Sequence, residues 1–332
     1  MLEKTIIQMF PLSLRDVFKK VAKDGNNIQE IRLRANRPVI VFRKQEDTGS
    51  YTEFYLTKEG EWESDVSKGF CISTYELEEL LNHLCNYSIY AYDEEIKQGY
   101  LTLPGGHRVG LAGQVVWERD AIKTMKYIHF MNIRIAHEIK GVSEKVLPYL
   151  YSNGMFQNTL IISPPGCGKT TLLRDIVRNI SDGNAYGEGV TVGVVDERSE
   201  IAGMYHGLPE NDVGKRTDIL DACPKVYGMM LLVRALSPKV IAVDELGSME
   251  DIEALERTIH CGSRILATIH GDSIETVREK RFMKHITGDK VFNRYILLGK
   301  RDGNCIVEGI YDQDFGICSN YNRYDGMRSQ HN

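Results

Sequence analysis

The apolar positions of this chain keep two different rhythms. In the first part they alternate over short runs. "IQEIRLRANRPVIVFR" sets Ile31 and Leu33 on one side, breaks at "ANRP" and resumes with Val39 to Phe42, which predicts strand, turn and strand. Ser73-x-x-Glu76 is a capping-box signature, and Leu77, Leu80, Leu81 and Leu84 then fall on one helical face. "GYLTLPGGHRVGLAGQVV" predicts two strands about the turn Pro104-Gly105-Gly106, and "HFMNIRIAHEI" a last strand. Residues 1–145 therefore read as a smaller α+β amino-terminal domain.

From about Asn158 the rhythm becomes strand, glycine loop, helix, strand. The predicted strands are "TLIIS", "VTVGVV" (190–195), "KVIAVD" (239–244) and "RILATI" (264–269). Helical stretches fall at 170–181, roughly 218–236 and 249–261. Short apolar runs alternating with helices predict an α/β domain, residues 146–315, with a parallel sheet covered on both faces. Residues 181–189 read as a surface connection. The polar end, residues 316–332, reads as a flexible tail.

Composition narrows the classes without naming one. The chain has 332 residues, 42% of them hydrophobic and 26% charged, with a net charge of −5. An acidic balance argues against a bulk electrostatic grip on nucleic acid or anionic lipid. No apolar run reaches the ~18 residues of a membrane span, and the first twenty residues lack the pattern of a signal peptide. The seven cysteines form no C-x-x-C pair, as expected of reduced thiols in a cytoplasm.

The chemistry is concentrated at "SPPGCGKTT", Ser163, Pro164, Pro165, Gly166, Cys167, Gly168, Lys169, Thr170 and Thr171, between an apolar strand and a helix. That context suits a phosphate-binding loop. Backbone N–H groups of Gly166 to Thr170 would point into one concavity and meet a β-phosphate. Gly166 and Gly168 let the backbone approach with no Cβ in the way. Lys169 would bridge β- and γ-phosphates, and the Thr170 hydroxyl would bind Mg²⁺. The usual spacing asks for glycine at 163, where Ser163 stands; serine enters such a loop if its φ is negative. Cys167 reads as a small filler.

Two later strands end in acids. "VIAVDE" ends in Asp244, a candidate for the Mg²⁺ shell, and Glu245, a candidate for polarising the attacking water. "VTVGVVDERSEIAG" supplies a strand end with Asp196 and Glu197, either of which would aim at the same phosphates, as a base or a metal-shell ligand, or else form an ion pair with Arg198. "SRILATIHG" ends with Thr268 and His270, polar residues placed to sense a γ-phosphate.

These segments also carry a resemblance. "SPKVIAVDELGSMEDIEALERTIHCGSRILATIHGDS" is similar to the Walker B to histidine-box stretch of secretion and pilus-retraction ATPases. "GGHRVGLAGQ", "NIRIAHEI", "PPGCGKTTLLRD", "VDERSEIAG", "KRTDILDACPK" and "VDELGS" together resemble the stage III sporulation protein AA family of endospore-forming bacteria, over about residues 25–312. The resemblance implies a RecA-like P-loop core and a cytoplasmic mother-cell ATPase using ATP and Mg²⁺. It implies a homo-oligomer, a hexameric ring by analogy with secretion relatives. It also implies peripheral attachment to the membrane through membrane proteins of a channel joining mother cell and forespore. Lys169 and Thr170 match the Walker A positions, Glu245 the Walker B glutamate and His270 the last histidine of the histidine box. Arg108 in "GGHRV" and Arg134 in "NIRI" match arginines that reach nucleotide and would offset charge on the γ-phosphoryl oxygens.

The sequence departs from the secretion pattern at Asp244, where glycine is usual. That leaves open which acid holds magnesium. The family's acidic strand end aligns with Asp196 or Glu197 depending on a one-residue shift, so the catalytic base stays open between that strand end and Glu245. Lys215 and Arg216 in "GKRTD" are further cations that would meet phosphates or a neighbouring subunit. Two other readings stand beside the motor: a nucleic-acid-stimulated ATPase, and a nucleotide-gated scaffold with little turnover. No strand shows a basic, aromatic-rich binding face and the net charge is acidic, so nucleic acid is not expected. Tyr87, Tyr90, Tyr92 and Tyr100 are expected to pack within the amino-terminal domain.

Overall fold

The computed structural model describes residues 2–45, 50–118, 120–279, 283–288, 290–301 and 304–320. The chain divides into two compact units, Met1–His137 with Gly203–Glu210, and Glu138–Ala202 with Asn211–Asn332. The division thus falls earlier than the single boundary read from the sequence, and it returns a short later segment to the first unit.

The amino-terminal unit opens with helices α1 (Leu2–Gln8) and α2 (Arg15–Lys23). Strands β1 (Ile28–Arg34), β2 (Ile40–Lys44), β3 (Tyr51–Leu56) and β4 (Trp62–Glu63) follow. Helices α3 (Thr74–Leu84) and α4 (Asp93–Gln98) precede β5 (Tyr100–Leu103), β6 (His107–Glu118) and β7 (Ala121–Arg134). The strands form one antiparallel sheet in the order β4-β3-β2-β1-β7-β6-β5. Period-two alternation sends Ile31, Leu33, Val109, Met131 and Ile133 into a core shared with Leu77, Leu80, Phe10 and Phe18. The capping box forms as read: Ser73 Oγ accepts from Glu76 N at 3.2 Å, and Ser73 N donates to Glu76 Oε2 at 2.7 Å.

The tyrosines split. Tyr92 is buried, but Tyr87 and Tyr90 are 72% and 94% exposed. Tyr87 lies where α3 has ended, in a connection that turns through the left-handed region at Asn86 and Tyr87, and Tyr90 sits on the outer side of the short 3-10 helix Ile89–Tyr92 whose buried residue is Tyr92.

The second unit builds an eight-stranded sheet from β8 (Thr159–Ser163), β9 (Val192–Asp196), β10 (Thr217–Asp221), β11 (Val240–Glu245), β12 (Arg264–His270), β13 (Arg294–Arg301), β14 (Asn304–Asp312) and β15 (Ile317–Asn320). The order is β10-β9-β11-β12-β8-β13-β14-β15. Strands β8 to β13 are parallel, and β14 and β15 add antiparallel pairs at one edge. Helices α5 (Lys169–Asp182), α6 (Lys225–Leu236) and α7 (Met249–His260) connect the parallel strands. Every residue of β8 and β9 is buried, as a sheet covered on both faces requires. The fold is the expected α/β, P-loop-type core.

Two local expectations fail. The helix read from about residue 218 begins at Lys225; Thr217–Asp221 is instead an edge strand with Asp218 and Asp221 exposed and none of its residues fully buried. The tail read from 316 contains β15, which pairs with β14. Residues 321–332 of that tail lie outside the described residues.

Candidate nucleotide site

The site is built at the carboxyl ends of β8, β12 and β11, the crevice where open α/β sheets take ligands. Strand β8 stops at Ser163, which is buried, has a negative φ and donates its hydroxyl to Pro164 O at 2.8 Å. The loop therefore leaves the strand without the glycine that the usual spacing asks for. Gly166 and Gly168 have φ of +68° and +76°, a region that favours glycine, so both remaining glycines are needed for the turn. Cys167 between them is buried, and burial pushes its thiol pKa up, away from reactivity. Pro164 is half-buried and Pro165 exposed on the rim. Helix α5 then starts at Lys169, with Thr170 and Thr171 half-buried in its first turn. The first N–H groups of such a helix have no carbonyl behind them and, with the dipole, favour an anion.

Lys169 is turned toward the acids of β11. Its Nζ lies 3.1 Å from Glu245 Oε2 and 3.8 Å from Asp244 Oδ1. Consecutive strand residues normally face opposite ways. Here the β11–β12 register shifts between Val243 and Glu245, and the local irregularity brings both carboxylates to one cation. Burial pushes the Asp244 pKa up, while Lys169 pulls it down. Thr268, wholly buried, donates to Asp244 Oδ1 at 3.4 Å. His270 Nε2 is 2.9 Å from Glu245 Oε2, and its Nδ1 is 3.3 Å from Ser163 O. Phosphate loop, acids and histidine thus form one connected cluster.

The second acidic strand end is organised differently. Asp196 is wholly buried, and its carboxylate accepts N–H bonds from Glu200, Ile201 and Ala202 at 2.8–3.0 Å. Burial raises its pKa to about 6 despite those donors. Arg174 of α5 grips the same loop from the other side, donating to Glu200 O and Ile201 O. Glu197 forms an ion pair with Lys225 at 2.5 Å. Lys215 and Arg216 also fall away from the loop within this chain. Their backbone N–H groups bond to Asp182 and Ser181, and the Arg216 guanidinium to Ser181 O. That is the far end of α5, about 18 Å along the helix from Lys169.

Arg108 and Arg134 belong to the amino-terminal unit, directly opposite one another on β6 and β7. The register adds residues that the motifs did not single out. Arg32 lies opposite Asn132, and Arg34 opposite Phe130. These residues with Tyr100, Gly110 and Ala112 line a concavity of about 470 Å³. The Arg108 guanidinium lies 4.0 Å over the Tyr100 ring. Glu30 holds Arg32 at 2.6 Å and Asn132 at 3.0 Å. Alternation in "EIRLR" was the available signal for Arg32 and Arg34. The expectation that no strand shows a basic, aromatic-rich face is thus corrected: β1, β5, β6 and β7 together bring Arg32, Arg34, Tyr100, Arg108, Phe130 and Arg134 to one concavity.

The residues at the loop fit nucleotide chemistry: an amide-lined turn, a lysine, a hydroxyl in the first helical turn and two carboxylates beside the lysine. Among the described residues no three His, Cys, Asp or Glu side chains converge on a self-sufficient metal site. A divalent cation here would share its shell with phosphate oxygens and water, the usual habit of Mg²⁺.

The family described as sporulation stage III, protein AA, matches residues 2–317. The chain is 40% identical over 315 residues to the stage III sporulation protein AA of Bacillus subtilis (strain 168), covering 95% of this chain and 96% of that one. Among solved structures it is similar to the Legionella pneumophila ATPase DotB, with a TM-score of 0.57 and 15% identity over 92% of this chain and 82% of that one. It is also similar to the pilus retraction motor PilT with bound ADP, with a TM-score of 0.55 and 13% identity over 89% and 82%. At such identity these structures establish the fold.

Proposed function

The chain belongs to the sporulation stage III protein AA family, and on that premise we propose that it is an ATP-hydrolysing motor of a sporulation channel. The observation that carries the reading is the contact of Lys169 with Glu245 and Asp244 at the mouth of the phosphate loop. Lys169 and the amides of 166–170 hold the β- and γ-phosphates. Thr170 and, through water, Asp244 would hold Mg²⁺, which when bound would supply positive charge to offset that of the phosphates. Glu245 orients the water for in-line attack on the γ-phosphorus. His270, bonded to both Glu245 and the end of β8, reports the state of the γ-phosphate to the strand ends. Glu245 is favoured over Glu197 because it already touches the phosphate-loop lysine, whereas Glu197 is engaged with Lys225.

Arg108 and Arg134 complete the site of their own or a neighbouring subunit in a ring, hexameric by analogy with secretion motors. Hydrolysis then moves one unit against the other and acts on membrane proteins of the channel between mother cell and forespore. Among the described residues no helix is long and apolar enough to cross a membrane, so the reading gives attachment to those partners. A second reading, a nucleic-acid-stimulated ATPase, is favoured by the arginine-rich face bearing Tyr100 and Phe130.

The test is ATP turnover by the purified chain with Mg²⁺, with and without single-stranded DNA or RNA, beside Lys169→Ala. The motor reading expects slow turnover that nucleic acid does not change and that Lys169→Ala abolishes. A large, salt-sensitive stimulation would favour the second reading. Binding without single-turnover hydrolysis would leave a nucleotide-gated scaffold. Unchanged binding and turnover in Lys169→Ala would sink all three.

A further inference from the structure

Strand β13 lies beside β8 in parallel, with Ile162 opposite Leu297. Strand β8 ends one residue later and becomes the phosphate loop, while β13 runs on to Arg301. The last residues of β13 therefore travel alongside the loop. Lys300 and Cys305 are cross-strand partners in the β13–β14 hairpin, so their side chains leave the same face. Both reach Gly166. Cys305 Sγ donates to Gly166 O at 3.5 Å, and Lys300 Nζ lies 3.7 Å from the point where a Cβ on Gly166 would stand. Gly166 is thus kept small by its φ, and the space beside it is taken by an ammonium group.

The two lysines at the loop differ in what holds them. Lys169 is engaged by Glu245 and Asp244 and is mostly buried. Lys300 is exposed, with no ion-pair partner among the described residues. Its ammonium stands beside Gly166 and acts on the Cys167 thiol, whose pKa burial raises and Lys300 lowers. An exposed cation at the rim of an amide-lined anion site strengthens that site for a polyphosphate. A lysine suits the task because it acts as a point charge and needs no fixed fork.

We propose that Lys300 is a second phosphate-binding lysine of this site, one that takes a β- or γ-phosphate oxygen of a nucleoside di- or triphosphate at Gly166. The proposal rests on the reading of residues 163–171 as a nucleotide site. It adds a cation delivered by the β13–β14 hairpin, so the hairpin is part of the site.

Equilibrium binding of ADP, a non-hydrolysable ATP analogue and AMP to the full chain tests it, at one salt concentration. The variants are Lys300→Ala, Lys300→Arg and, as control, Lys169→Ala. Lys300→Ala is expected to weaken ADP and the ATP analogue about tenfold. It should leave AMP binding and the melting temperature of the nucleotide-free chain unchanged, and Lys300→Arg should restore most of the affinity. If Lys300→Ala binds within about twofold of the unaltered chain while Lys169→Ala loses binding, the inference fails and the site reading stands. A loss that arginine does not restore, with a lowered melting temperature, would also overturn it by making Lys300 structural. Full affinity in Lys169→Ala would overturn the site reading and this inference with it.

Discussion

Strands β9 and β11 lie side by side in the sheet; β9 ends at Asp196 with Glu197 directly after it, and β11 ends in Asp244-Glu245. The first pair is spent on structure. Asp196 collects three backbone N–H groups and anchors the loop that follows, and Glu197 forms an ion pair with Lys225. The second pair is spent on the phosphate loop. Asp244 and Glu245 share Lys169, and Glu245 also meets His270. Neighbours explain the difference, not residue type. Strand β11 is separated from β8 by β12 alone and carries a register shift at its end, whereas β9 lies one strand further out. A carboxylate at a strand end is therefore a candidate for chemistry only when a cation of the site, not a turn of its own loop, takes its lone pairs.

The largest effect that sharpens this contrast is expected at the shared cation. On the proposed motor reading, Lys169→Ala should lower turnover about 100- to 1000-fold, because a charge preorganised for the phosphoryl group would be lost. Asp196→Ala should instead lower unfolding free energy by about 3 kcal/mol in denaturant titrations, since three buried N–H groups lose their acceptor. A loss below about 1 kcal/mol would mean that the loop does not depend on Asp196.

The pH dependence gives a third, smaller contrast. The folded pKa of Asp196 is raised from 3.8 to about 6, so its contribution to stability is fully present below the lower value and is lost as pH rises through the upper one. Carboxyl-carbon NMR should show this group titrating near the upper value, and Asp196→Asn should flatten the stability curve across that window. Titration at the ordinary aspartate value would refute the burial argument. The smallest effect belongs to Lys225→Met, which removes the partner of Glu197. It should cost less than about 1 kcal/mol and leave turnover within a few-fold; a collapse of turnover would place Glu197 in the chemistry.

The elements with a single strong rhythm were legible in the sequence. The capping box at Ser73 and Glu76, the hairpin about Gly105 and the run from "TLIIS" into "GKTT" are local signals, and each formed. Thr217–Asp221 was not legible as a strand. It is an edge strand with polar ends and only two apolar residues, and what makes it extended is pairing with β9. The β13–β14–β15 edge is held the same way, by pairing between segments rather than by any marker of function. At the site, the motif fixed the loop and named both acidic ends but gave no means to rank them. Ranking needed distances to Lys169, which depend on strand order. Lys300 carried no local signal, since it is brought to Gly166 by a neighbouring strand from far along the chain.

The central claim is that Glu245, and not Glu197, orients the attacking water. Single-turnover hydrolysis of ATP by Glu245→Gln and Glu197→Gln, with nucleotide affinity measured in parallel, tests it most directly. The account predicts that Glu245→Gln keeps ATP affinity and slows cleavage about 100-fold or more, while Glu197→Gln stays within a few-fold of the unaltered chain. Cleavage arrested in Glu197→Gln and preserved in Glu245→Gln would contradict it.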